Sequence, residues 1–239
     1  MTRSDGKVPT AAQQRLDVPE PPVRPRKGLP RAVDLAIAAV GLLLLSPLLL
    51  AAGIAIRLES RGPVFYRQRR VGKDGLIFEL YKLRTMRQGA DPVGVGTAVT
   101  ADDPRVTRVG QLLRRYSLDE LPNLINVVRG EMRIVGPRAT LPAQVELYTP
   151  RQLRRLDLRP GVTGWAQIHG RAGIPWEERI ELDVWYVEHR SLWLDLRILA
   201  KTPAALLGGP GSVARDPYAG SPPDSPLRQA AERERAGKR

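Results

Sequence analysis

The hydrophobic and polar positions of this chain divide it sharply. From Leu35 to Ile56 the sequence LAIAAVGLLLLSPLLLAAGIAI is uncharged and almost wholly apolar. As a helix rising 1.5 Å per residue it would reach about 33 Å, enough to cross the hydrocarbon core of a bilayer. Residues 1–28, rich in Pro and Arg and without a helical or strand period, predict a disordered basic arm. The stretch GGPGSVARDPYAGSPPDSP predicts a second disordered tail over 208–239, with at most a short helix at Leu227–Arg235. No small-residue cleavage site follows the apolar segment, and a long arm precedes it, so it is not read as a cleaved signal peptide.

Between the membrane segment (29–57) and the tail, residues 58–207 show the mixed patterns of a folded domain. Val64–Gln68 and Ile77–Tyr81 are β-prone and flank the turn-like Gly72-Lys73-Asp74-Gly75, which predicts a hairpin. Asp91–Asp103 reads as a loop. Helices are expected over Val109–Arg115 and Leu121–Arg129, and a basic one from Pro150 ending at Asp157–Gly161. Another is expected from Trp176 to Leu207, with breaks near Ser191 and Pro203. Its Trp185, Tyr186 and Trp193, beside Arg190, Arg197 and Lys201, suit a helix at the headgroup level of a membrane.

Charge changes the reading of the apolar segment. Arg24, Arg26, Lys27 and Arg31 precede it, and Arg57, Arg61, Arg67, Arg69, Arg70 and Lys73 follow it. A spanning helix keeps its basic flank on the cytoplasmic side. Two basic flanks, with Ser46-Pro47 at the centre, suit a helix that dips in, bends and returns to the same face. Charge and proline alone leave this re-entrant path and a kinked spanning helix evenly matched.

The formal charge of +13 implies an anionic partner: nucleic acid, anionic lipid or a phosphorylated substrate. With 5% aromatic residues and no zinc-finger or RNA-recognition motif, a nucleic-acid module is disfavoured. The absence of Cys excludes a thiol nucleophile, and 2 His are too few for a site of several His ligands.

Chemistry concentrates at Ser117-Leu118-Asp119-Glu120-Leu121-Pro122. The Ser-x-x-Glu spacing is also that of a helix capping box. Around it, however, lie Arg105, Arg108, Arg114 and Arg115 on one side and Arg129, Arg133 and Arg138 on the other. An ionised carboxylate attacks phosphorus without a general base. A second carboxylate beside it suits Mg²⁺, which binds through one or two carboxylates plus substrate phosphates. Lys82 and Arg84, at the end of the second strand, are either a solvated edge or cations directed at a diphosphate. Gly136-Pro137-Arg138 and Pro160–Trp165 read as turns. Asp183 is equally a buried ion pair or a member of the site.

Taken in order, Ser46-Pro47, Gly62-Pro63-Val64-Phe65, Gln68-x-x-Val71-Gly72, Tyr81-Lys82-x-Arg84-Thr85-Met86, Asp103-Pro104-Arg105-x-Thr107, Ser117–Pro122, Gly136-Pro137-Arg138 and Pro160-Gly161-x-Thr163-Gly164-Trp165 resemble the bacterial sugar transferases, the monotopic polyprenyl-phosphate phosphoglycosyl transferases. The likeness runs over about 31–202. It implies an α+β, mainly helical monotopic membrane protein with a re-entrant helix bent at Ser46 and Pro47, one β-hairpin and interfacial amphipathic helices. The catalytic domain would lie on the cytoplasmic face of the bacterial inner membrane. Asp119 would be the nucleophile, carrying a covalent phosphosugar, with Glu120 its partner and Mg²⁺ held by Asp119 and Glu120. Lys82, Arg84, Arg105, Arg114, Arg138 and Asp183 would bind substrate.

The implied partners are a nucleotide sugar of the UDP class, polyprenyl phosphate and anionic membrane lipid, with no nucleic acid. The implied outcome is the first step of exopolysaccharide, O-antigen or glycoprotein glycan assembly. A membrane scaffold would explain the basic flanks but not an Asp-Glu pair among arginines. Two departures stand out: Ala139 replaces the usual Pro after Gly-Pro-Arg, and the Lys-Arg pair that usually opens the membrane helix is reduced to Pro30-Arg31.

Overall fold

The computed structural model describes residues 15–16, 27–90, 103–170, 174–208, 218 and 221–236. The fold is mixed and mostly helical. The apolar segment lies within a single helix, α1 (Arg31–Glu59), which is long and apolar enough to cross a membrane by length and composition. Pro47 sits inside it, and the Ser46 hydroxyl donates to the Leu43 carbonyl at 2.7 Å, a back-bond that accompanies helix bending. Strands β1 (Phe65–Val71) and β2 (Ile77–Leu83) pair antiparallel as a hairpin, extending past the C-terminal ends of the β-prone runs by three residues in β1 and two in β2. Asp74 takes a left-handed conformation (φ 55°) in the turn between them, a conformation that Asp tolerates.

Helices α2 (Arg108–Arg115) and α3 (Asn123–Arg129) flank a 3₁₀ turn at Leu118–Glu120. Then come β3 (Arg133–Val135), the short α4 (Pro142–Val145) and α5 (Pro150–Leu153), and β4 (Gly161–Thr163), followed by α6 (Trp165–Ile168). The long helical stretch breaks at Arg190-Ser191 into α7 (Trp176–His189) and α8 (Leu192–Gly208), and Pro203 interrupts nothing. A last helix, α9, covers Pro226–Ala236.

Three expectations need correction. The hairpin is accompanied by a second, two-stranded parallel sheet, β3–β4, with Arg133 opposite Gly161 and Val135 opposite Thr163. The tail beyond 208 is not wholly disordered: the short helix allowed for at Leu227–Arg235 forms as α9, and its Leu227 and Ala231, with Tyr218, are buried in one cluster with Ile180 and Val184 of α7. Tyr186 is not an interfacial side chain. It is fully buried, and its hydroxyl donates to Asp195 Oδ1 at 2.6 Å. Of the predicted arm, Arg15 and Leu16 are described; Leu16 N–H donates to the Gly75 carbonyl at 3.0 Å. The remainder of the arm before Lys27, and the loop predicted at Asp91–Asp103 except for Asp103 itself, lie outside the described residues.

One stripe of α1 is covered by protein along its length. Asp34, Ala38, Leu42 and Leu45 pack towards α3, β3 and α8, and Leu49, Ala52 and Ile56 towards Leu83 and Leu113. Both ends are tied to the same body. At the start, Asp34 pairs with Arg133 and accepts from Ile134 N–H at 3.1 Å, while Arg31 donates to the carbonyls of Val127 and Val128 at the end of α3. Cations at a helix C-terminus satisfy its orphan carbonyls. At the far end the Glu59 carboxylate accepts from the first amides of α2, Arg108 at 2.6 Å and Val109 at 2.8 Å. The opposite face of α1 exposes Val40, Leu43, Leu44, Leu50 and Ile54. On α8, Leu192, Trp193 and Leu196 are also exposed, Trp193 at 81%.

Candidate active site

The Asp-Glu pair sits on the 3₁₀ turn between α2 and α3. Ser117, just before it, is held at φ 55°, in the left-handed region that a non-glycine residue rarely adopts. The capping box that the spacing suggested does not form: Ser117 makes no side-chain cap, and Glu120 turns instead to two cations. Lys82 Nζ donates to Glu120 Oε1 at 2.9 Å, and Arg138 reaches both carboxylate oxygens, Nη2 to Oε1 at 2.7 Å and Nη1 to Oε2 at 3.4 Å. Such forked, charge-assisted contacts fix orientation as well as energy. Burial, the largest influence, pushes the Glu120 carboxyl up, but Arg138 and Lys82 together outweigh it and hold the group well below the usual carboxylate range.

Asp119 is placed differently. It is only 5% exposed, and its Oδ1 has no hydrogen-bond partner among the described residues. Burial pushes its carboxyl up to about 6; the Glu120 charge adds to the rise, and Lys82, Arg114 and Arg138 oppose it. Adjacent carboxylates thus differ: Glu120 is a neutralised anchor, and Asp119 keeps an oxygen open.

Lys82 reaches the pair because α3 is fastened to β2. Buried Asn126 accepts from Tyr81 N–H at 3.1 Å and donates to the Glu79 carbonyl at 2.6 Å and to Glu131 at 2.7 Å. Arg138 reaches it because two turns interlock. Gly136 N–H donates to the Thr163 carbonyl at 3.0 Å and Gly161 N–H to the Pro137 carbonyl at 2.8 Å. A Cβ on Gly164 would stand 2.1 Å from the Gly136 carbonyl oxygen, so this approach requires glycine. Ala139, where a Pro was expected, does not leave the turn loose. Its carbonyl accepts from Arg70 at 3.1 Å, and Val71 N–H donates to the next carbonyl, that of Thr140, at 2.9 Å.

Other predicted site residues fall into distinct places. Arg114 lies near the pair, where Asp119, Asp103 and Glu120 offset the burial that lowers its pKa, and its Nε donates to Thr85 Oγ1 at 2.8 Å. Arg84 is directed elsewhere: its guanidinium donates to the Ser60 and Arg61 carbonyls, both at 2.7 Å, and braces the link between α1 and β1. Arg105 grips Asp103 through backbone and guanidinium. Asp183 is a buried ion pair with Arg155, and its Oδ2 also accepts from Arg138 N–H at 3.2 Å. It supports the arginine rather than facing the pair. Sequence reasoning missed Asn126 and Arg155. Asn126 had a legible signal, a polar residue inside the apolar run Leu124–Val128; Arg155 sat unmarked in a basic run.

Comparison with known proteins identifies the family. The family model described as bacterial sugar transferase matches residues 26–209. The chain is 44% identical over 183 residues to an uncharacterised sugar transferase, EpsL, of Bacillus subtilis, covering 77% of this chain and 89% of that protein. It is 45% identical over 185 residues to the UDP-glucose:undecaprenyl-phosphate glucose-1-phosphate transferase of Caulobacter vibrioides, covering 74% of this chain and 69% of the relative. It is 40% identical over 205 residues to the exopolysaccharide production protein ExoY of Rhizobium meliloti, covering 80% and 91%. With the paired carboxylates, their cations and the membrane-length helix accounted for together, the chain belongs to the bacterial sugar transferase family and is a phosphoglycosyl transferase.

Proposed function

We propose that the enzyme moves a sugar phosphate from a UDP-sugar to undecaprenyl phosphate through a covalent intermediate on Asp119, as the first step of an exopolysaccharide or related glycan. The observation that carries this reading is the buried Asp119 oxygen without a partner, beside a Glu120 whose oxygens are held by Lys82 and Arg138. In the first half-reaction an Asp119 oxygen attacks the sugar-bearing phosphorus; the new O–P bond forms as the P–O bond to UMP breaks, and UMP leaves with the electron pair. In the second, a phosphate oxygen of the lipid attacks the same phosphorus and frees the Asp119 carboxylate. Arg138 and Lys82, pre-organised by Glu120, face the charge that develops on the phosphoryl oxygens.

Mg²⁺ fits this site as a substrate-borne ion. Among the described residues no cluster of three or more acidic, His or Cys side chains could hold a metal alone. Asp119 would supply one ligand to such an ion, and Glu120 would have to share an oxygen already engaged by cations. When bound, the ion would neutralise diphosphate charge. The test uses UDP-glucose, the donor named for the Caulobacter relative, and then other UDP-sugars, each labelled on the sugar. Wild type is expected to retain label without lipid, to release UMP, and to lose both on chelation. UMP release with no label on the protein would replace the covalent path by direct transfer.

The membrane arrangement we propose is re-entrant, with the catalytic body on the cytoplasmic face, where nucleotide sugars are found and the lipid phosphate is within reach. Anchors at both ends of α1 on one body, and basic residues on both flanks, support it. The chain has no Cys, so a single cysteine at Thr10 reports the side on which the arm lies. In intact cells it is expected to resist an impermeant thiol reagent and to react after lysis. Ready labelling before lysis would establish a spanning helix.

A further inference from the structure

We propose that the carboxy-terminal segment is a working part of the active site, with Tyr218 a positioning residue for Arg138. The family match ends at residue 209, so this segment lies beyond what the relatives share in that match. It is docked all the same. Tyr218 is 2% exposed, Leu227 and Ala231 pack beside it, and the hydroxyls of Ser221 and Ser225 both donate to Glu177 in the first turn of α7.

From Tyr218 a chain of buried side chains runs to the catalytic arginine. Gln144 Nε2 donates to the Tyr218 hydroxyl at 3.3 Å, and Gln144 Oε1 accepts from Thr140 Oγ1 at 2.9 Å. The Thr140 hydroxyl meets Tyr148 Oη at 2.8 Å, and Tyr148 Oη accepts from Arg155 Nη1 at 2.7 Å. Arg155 Nη2 then donates to both Asp183 and, at 3.1 Å, the carbonyl of Arg138, whose own N–H is held by Asp183. The Arg138 backbone is thus gripped on both sides by this network, and its guanidinium holds Glu120. Networks of this kind in a dry interior polarise and lock one another, so loosening one end alters the other. The carboxy-terminal segment therefore helps to set the angle at which Arg138 meets the donor phosphates. This rests on the reading of Arg138 given above.

The experiment compares full-length wild type, Tyr218→Phe, Arg138→Lys and the double variant. Tyr218→Phe keeps the ring and removes only the hydroxyl. With UDP-glucose and the other UDP-sugars, kcat/KM for UMP release is expected to fall about fivefold, the effect of one buried hydrogen bond, with the melting temperature lowered by only about 2–4 °C. In the Arg138→Lys background the same change should cost much less, because coupled residues are non-additive. Hydrogen exchange at the Arg138 amide should quicken in Tyr218→Phe. Unchanged kinetics, or a loss that multiplies undiminished with Arg138→Lys, would overturn the positioning role even if the amide exchanges faster. A wild type that releases no UMP from any UDP-sugar would instead defeat the functional reading, and an unchanged Arg138 amide would then overturn the relay on its own.

Discussion

Asp119→Asn protein is expected to form no covalent phosphosugar and to release UMP at least about a thousandfold more slowly than wild type, while melting several degrees higher. The amide is isosteric but cannot attack phosphorus, so the loss should be complete in the first half-reaction, without lipid. The gain in stability follows from the raised pKa. An Asp with a folded value of about 6, above its ordinary 3.8, binds its proton more tightly in the native state. Stability therefore falls as pH rises from about 4 to about 6, and above that window the buried charge costs on the order of 1–3 kcal/mol. Asn does not ionise, so the advantage of Asp119→Asn should be full at pH 7–8 and should shrink as pH is lowered through about 6 to about 4. Wild-type kcat/KM should decline over the upper part of the same window, because only the carboxylate is nucleophilic. Thermal melts and initial rates across pH measure both; an Asn variant that melts lower at neutral pH, or that still acquires label, would refute the assignment.

Glu120→Gln should behave in the opposite way. Removing this charge leaves Lys82, mostly buried, and Arg138, about a third exposed (35%), facing each other without their shared anion. Breaking a fully buried pair from one side typically costs about 3–5 kcal/mol; water screens the partly exposed Arg138 and Gln retains part of the hydrogen bonding, so a loss of roughly 1–3 kcal/mol is expected. The Glu120 pKa is held low, so its contribution is present above about 4.5, the ordinary Glu value, and fades as pH falls below it towards the depressed folded value. Activity should drop at least about a hundredfold, since both of the cations proposed to face the phosphates would lose their alignment. Two neighbouring acids, each made neutral, would thus shift stability in opposite directions. Equal shifts in denaturation midpoint for the two variants would contradict the division of labour between them.

Much of this arrangement was legible because it rests on local pattern. The apolar run fixed α1, alternation about a Gly-rich turn fixed the hairpin, and the ordered motifs marked Asp119, Glu120, Lys82 and Arg138. What escaped was decided by tertiary contact. Strands β3 and β4 are three residues each, too short to show a period, and exist because Gly136 and Gly161 bring two turns together. Arg84 showed its charge but not its direction, and the backbone carbonyls of Ser60 and Arg61 capture it. Tyr186 fitted an aromatic belt until Asp195 gave its hydroxyl a buried partner. The short helix read at Leu227–Arg235 is present as α9, but the composition of the tail hid its docking, for which its few apolar residues suffice because α7 offers a matching face.

The anchors of α1 also govern the order in which the protein can mature. Its start is held by Val127, Arg133 and Ile134, its end by the amides of Arg108 and Val109, and Leu29 N–H bonds to Asp195, 166 residues away. None of these partners has been synthesised when the apolar segment leaves the ribosome. On the proposed membrane arrangement the nascent segment would meet the lipid unclamped, and its final path would be sealed only when the later helices arrive. On that arrangement, cells making a chain truncated before Arg108 should hold α1 in the bilayer with neither clasp closed, and maturation of the enzyme would end at the membrane rather than before it.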